Sequence, residues 1–165
     1  MVYLDSQTIE VVFDVIAEFY SAKEEIPDYR NEPGLPKLLS VLQGVQQDFY
    51  PTLTDKAAYL MVQINKGHFF SNGNKRLALV CATVFLVVNK KHFEDTFDRN
   101  RYRTLFTELF PKFTEIEDYP DFLPKEFGLY NLSILIADSH KYVDSFDELK
   151  TNVCKFLDGM IVPYP

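Results

Sequence analysis

A stretch that is apolar on every side constrains this chain more than any other feature. Between Leu77 and Val88 only Thr83 is polar, so a helix formed there has no charged face for water and must be wrapped by other elements. It is too short to cross a bilayer. The expected arrangement is an all-α bundle with this helix, Asn74 to about Asn89, buried at its centre.

The residues before this helix give it a chemical role. His68-Phe69-Phe70-Ser71-Asn72-Gly73-Asn74-Lys75-Arg76 sets a histidine, a glycine turn and two cations at the helix start. The first N–H groups of a helix have no partner within it and point backwards with the positive end of the dipole, which suits an anion. Gly73 lets the main chain approach a phosphate without a Cβ in the way, and Arg76 offers a fork of donors to a second one. Histidine is the side chain suited to take a proton from a hydroxyl near neutral pH, and His68 stands within plausible reach of one. Each residue also has an ordinary use. His68 suits a helix C-terminus, Gly73 and Asn74 a capped helix entry, Lys75 and Arg76 a solvated surface, and Phe70 a core anchor.

Elsewhere the pattern is helical with few strand signals. Ile9, Val12, Phe13, Ile16, Phe19 and Tyr20 recur at helical steps and predict a first helix over about 6–22. Lys23 to Pro36, with three prolines and a glycine, reads as a loop. A short helix follows to about Gln43. Gln46 to Leu53 has no helical period, and Pro51 stops one forming, so it is expected to be extended or a small hairpin. Thr54-Asp55 is expected to cap a helix to Lys66 that Gly67 ends, leaving His68 at the junction. Further helices are expected over Asp98 to about Phe110, Leu129 to about Asp138 and Phe146 to about Leu157, around an acidic, aromatic loop from Pro111 to Gly128. No repeat or second domain is visible, so residues 1–165 read as one domain.

Composition bounds function modestly. The 165 residues can bury a real core. A formal net charge of −7 argues against general affinity for nucleic acid or anionic lipid, so any phosphate binding must be local. Arg99, Arg101 and Arg103 scatter around their helix and make no nucleic-acid patch. Two cysteines, Cys81 and Cys154, read as free thiols, no signal peptide is visible, and a reducing cytoplasm is the expected compartment. Three histidines without paired ligand spacing support no zinc site. Glu115, Glu117 and Asp118 read as solvated charge.

The motif from His68 to Arg76 resembles the signature of the Fic/Doc family, and its Asn-Lys-Arg ending resembles the Doc (death-on-curing) branch. Similarity extends upstream through Gly34-Leu35-Pro36-Lys37-Leu38-Leu39 and Gln46 to Ala58, covering roughly 32–91. The resemblance implies a Fic/Doc-like helical bundle with a short extended flap or β-hairpin. It also implies His68 as general base, Phe70 as motif anchor, and Gly73, Asn74, Lys75 and Arg76 as contacts to nucleotide phosphates. Gln47, Asp48, Phe49 and Tyr50 become a flap that aligns the target protein. ATP and Mg²⁺ are the implied cofactors. The activity implied by the Doc branch is transfer of the terminal phosphate of ATP to a hydroxyl of a target protein, in that branch a translation elongation factor. Its proteins are toxins, and an antitoxin chain is the implied partner. Lys75 stands where the Fic branch, which transfers AMP, has a second glycine; AMP transfer is the alternative.

Two departures bear on this. Asn72 stands where the family has an acid that holds Mg²⁺, and a neutral carboxamide is a weaker ligand for a hard cation. At an effective dielectric of about 20 and a separation of about 4 Å, the lost charge removes roughly 4 kcal/mol of bare attraction per unit of metal charge. That opens a third reading, a pseudoenzyme that binds nucleotide or protein without turnover. Leu79 stands where many Fic proteins have a second arginine, and Ser21 to Glu25 is followed by Ile26 rather than the Gly or Asn of their inhibitory motif. Self-inhibition of that kind is not expected.

Overall fold

A computed structural model describes residues 1–20 and 27–165, the side chain of Tyr20 excepted. The described chain is mostly helical: α1 (Ser6–Tyr20), α2 (Leu35–Gly44), α3 (Leu53–Lys66), α4 (Asn74–Val88), α5 (Arg99–Leu109), α6 (Pro124–Ala137) and α7 (Phe146–Asp158). Strands β1 (Lys91–Phe93) and β2 (Ile161–Pro163) pair antiparallel, His92 opposite Val162.

The apolar run sits at the centre as expected. α4 packs on α3 along a shared face and on α1 and α6 beside it, burying Leu77, Ala78, Cys81, Ala82, Phe85 and Leu86. α3 in turn meets α2, α6 and α7. Burial pushes the Cys81 thiol up to about 12, leaving an inert core residue. Beyond this pair, Tyr102, Phe106, Phe113, Phe127 and Phe156 form a connected aromatic core, with Phe106 and Phe156 ring centres 4.9 Å apart. Gly128 is what admits the Tyr102 ring, because a Cβ there would lie 2.3 Å from it.

Several expectations shift. The α3 cap is Thr52, not Thr54-Asp55. The Thr52 hydroxyl accepts from the Asp55 N–H and the Asp55 carboxylate accepts from the Thr52 N–H, a capping box that opens two residues earlier than predicted. Gln46 to Leu53 is not extended but a run of turns, because buried Lys56 donates to the carbonyls of Val45 (2.6 Å) and Gln47 (3.0 Å) and curls the segment around its ammonium. α6 begins at Pro124 rather than Leu129, using proline at a first-turn position.

Glu115, Glu117 and Asp118 are exposed as expected, but the loop that carries them is tied down. Asn131, fully buried, accepts from the Glu117 N–H at 2.9 Å and donates to the Glu117 carbonyl at 2.8 Å, bracketing the loop backbone from α6. The Glu117 carboxylate accepts from the hydroxyls of Tyr119 and Tyr130, and Asp118 accepts from Arg99 and Arg103. Two of the three arginines in the series therefore hold this loop.

Candidate active site

The site lies in the loop Gly67–Gly73, between the C-terminus of α3 and the N-terminus of α4, so the most deeply packed pair of helices holds it from both sides. Gly67 ends α3 as expected, with a right-handed φ of −70°. A Cβ there would lie 2.3 Å from the Phe69 ring, so glycine serves close packing at this position. The left-handed turn falls on His68, with φ 48°. A non-glycine residue held there is strained by its surroundings, and the imidazole is exposed.

Phe70 is the anchor, buried and edge-on to Tyr29 with ring centres 4.9 Å apart. Asn74 closes the loop from the helix side. Its side chain accepts from the Phe70 N–H at 3.2 Å and donates to the Phe70 carbonyl at 2.9 Å. These bonds use the carboxamide on the loop itself, so its main-chain N–H is the group Asn74 brings to an anion. Gly73, at φ 73°, is the α4 cap. It contributes no side chain, and the first turn of α4 contains no acid. A helix start with neither leaves the positive end of its dipole without a carboxylate of its own first turn, which favours an anion there. Lys75 is exposed and Arg76 half-buried in that same turn.

One wall of the loop was not visible in the sequence. Pro27 to Gly34 packs over the motif at three points. The Tyr29 hydroxyl donates to the Gly73 carbonyl at 3.2 Å, and a Cβ on Gly73 would lie 2.4 Å from that hydroxyl. Glu32 accepts from the Ser71 N–H at 2.8 Å and from the Ser71 hydroxyl at 2.6 Å. Gly34 passes so close that a Cβ would fall 1.8 Å from the Phe69 carbonyl oxygen. Arg30 ties this wall to α1 through the Glu10 carboxylate and through Asp14 at 2.7 Å, its guanidinium over the Phe13 ring. Only the short Asp-Tyr-Arg-Asn-Glu-Pro-Gly run hinted at it, and nothing periodic in that run points 40 residues ahead.

The structure does not bring Gln47, Asp48, Phe49 and Tyr50 to His68. α2 leads away from the motif, starting beside Phe69, and α3 returns to it. The turn between them therefore lies at the far end of a helix about 20 Å long. Phe49 and Tyr50 instead border a cleft of about 370 Å³ with Asp55, Lys150, Cys154 and Lys155. Ser21 to Glu25 lie outside the described residues.

The donor set does not fit a cation held by protein alone. The Asn72 carboxamide oxygen accepts from the Gly73 N–H at 2.6 Å and carries no charge. Both Glu32 oxygens are engaged by Ser71. Among the described residues no group of three His, Cys, Asp or Glu is placed to hold a metal.

The loop's architecture defines the class: a histidine and an uncapped helix start brought together by a buried phenylalanine and a left-handed glycine. The model of the Fic/DOC family matches residues 4–86, about half of the chain, and the chain belongs to that family. It is 39% identical over 62 residues to the Toxin Doc of Mycolicibacterium smegmatis (strain ATCC 700084 / mc(2)155), an alignment covering 38% of this chain and 48% of that protein. The match thus spans about half the length of this relative. No solved structure matches.

Proposed function

We propose that this chain is a toxin-type protein phosphotransferase that moves the terminal phosphate of ATP to a hydroxyl of a target protein. The observation that supports it best is the N-terminus of α4, where a left-handed Gly73 and an acid-free first turn with Lys75 and Arg76 follow directly on an exposed His68. His68 removes the proton from the acceptor hydroxyl, whose oxygen forms a bond to the γ-phosphorus. The bond from that phosphorus to the β,γ-bridging oxygen breaks, and ADP leaves. The main-chain N–H groups of Asn74 to Arg76 and the two cations stabilise the phosphates. Mg²⁺ belongs to this reading as a cation held by nucleotide and water, and no step depends on it. The likeness to a Doc toxin supports an antitoxin chain as partner, and a translation factor as target rests on the resemblance of the motif to the Doc branch.

AMP transfer is the second reading, and Lys75 is the residue that disfavours it, because its side chain occupies the place of the Fic branch's second glycine. Incubating the purified chain and a cell lysate with ATP labelled in turn on the α- and γ-phosphate separates the readings. Protein-bound label from γ is the expected result, and label from α alone moves the assignment to AMP transfer. Label from neither leaves a binding protein.

A further inference from the structure

We infer that Glu32 is a positioning residue of the motif loop, acting through Ser71 to hold the anion site in its binding conformation; this rests on the nucleotide reading above. A carboxylate beside a phosphate-binding loop is at first sight misplaced, since like charge opposes the ligand. Its geometry gives the reason for its presence. Each oxygen takes one donor of the same residue, the main-chain N–H at 2.8 Å and the hydroxyl at 2.6 Å, so Glu32 grips Ser71 at two points. Charge-assisted bonds of this length are the stronger kind, and two parallel ones fix orientation as well as distance.

Among the described residues, the grip is one of three side-chain tethers on the stretch from Phe70 to Asn74. Asn74 holds both main-chain groups of Phe70, and Tyr29 holds the carbonyl of Gly73. Phe70, Ser71 and Gly73 are therefore fixed from outside the stretch's own main chain, and Glu32 is the one tether of the three that is ionised. Ser71 is exposed and Glu32 only half-buried, so the pair contributes little to the core. What it controls is the path of the chain into Asn72 and Gly73, and thereby the direction of the first α4 amides.

The two roles open to Glu32 predict opposite signs. If it merely opposes an anion, Glu32→Gln raises ATP affinity by removing repulsion. If it positions the loop, Glu32→Gln lowers ATP affinity, because both bonds lose their charge assistance and the Ser71 hydroxyl must turn from donor to acceptor to keep the second. The expected fall is about tenfold, the scale of one charge-assisted bond. The experiment titrates ATP in EDTA into the full chain, its Glu32→Gln variant and a Ser71→Ala variant, following the amide NMR signals of Asn74, Lys75 and Arg76. Hydrogen exchange at the Ser71 amide is measured alongside, and melting temperature is checked. Expected are weaker ATP binding in both variants, faster Ser71 exchange in Glu32→Gln, and melting within a few degrees of the parent. A role confined to stability would move melting and leave the affinity of the folded protein alone. Unchanged or tighter ATP binding in Glu32→Gln overturns the inference. Absence of ATP shifts in the parent is a different result, which sinks the nucleotide reading and this inference with it.

Discussion

Gly73 carries two demands that no other residue meets together. Its φ of 73° is left-handed, and a Cβ would press into the Tyr29 hydroxyl at 2.4 Å. Gly73→Ala is therefore expected to destabilise the fold by about 1 to 3 kcal/mol and to weaken ATP binding, read by denaturant melts and calorimetric titration. His68→Ala tests chemistry alone. Because the imidazole is exposed, the fold should hold while transfer falls by about 10² to 10⁴; transfer equal to the parent's removes His68 from the mechanism. Asn72→Asp puts a carboxylate back beside the phosphates and is expected to tighten ATP binding in Mg²⁺ but not in EDTA, a difference calorimetry measures directly. At this scale the sequence was most legible where one short segment carries everything. Phe70 is the buried anchor read from the motif, Gly73 opens α4, and His68 stands exposed at the junction before them. Tyr29 and Glu32 were not legible, because their bonds reach 44 and 39 residues along the chain and local pattern contains nothing about such a distance.

The helices themselves followed from periodicity, while their ends depended on chemistry that periodicity does not weigh. α3 begins at Leu53 because Thr52 and Asp55 cap it reciprocally, whereas Thr54, the residue favoured from sequence, turns its hydroxyl to Asp158 at 3.3 Å. Thr52→Ala should cost about 1 kcal/mol in a urea melt. Asp55 gives this cap a pH dependence. Burial pushes its carboxyl up, but bonds from the Thr52 hydroxyl, the Cys154 thiol and the Thr52 N–H prevail and hold it below the ordinary 3.8. A depressed carboxylate stabilises the fold above its unfolded-state value and ceases to as pH falls through its lower folded value. The capping advantage of Thr52 over Ala should therefore shrink below about pH 4. Melts of both proteins at pH 7 and pH 3 test this, and an equal difference at the two pH values would rule it out. The β1–β2 pair escaped notice because three-residue strands are too short to show alternation.

Across the molecule, the central placement of α4 was the firmest expectation, and it came from composition of one segment rather than from any long-range information. What could not be read was how the peripheral segments are tied down. The loop before α6 looked like solvated acid, yet Asn131, Tyr130 and the arginines of α5 make it part of the structure. Asn131→Ala should release it, leaving the Glu117 main chain unpaired, with a loss of about 2 kcal/mol or more and protease cleavage between α5 and α6. The wall over the motif is attached in another way. Its ties to α1 are the buried stack of Tyr29 on Phe13 and the ion pairs of Arg30, whose carboxylate partners Glu10 and Asp14 are both exposed. Exposed ion pairs are screened as ionic strength rises and the Debye length shrinks from about 10 Å at 0.1 M to about 3 Å at 1 M, whereas the aromatic and aliphatic core is indifferent to that change. Salt therefore acts on this protein as a selective reagent: it weakens the ionic share of the cover's attachment while Tyr29 and the helices beneath keep their packing.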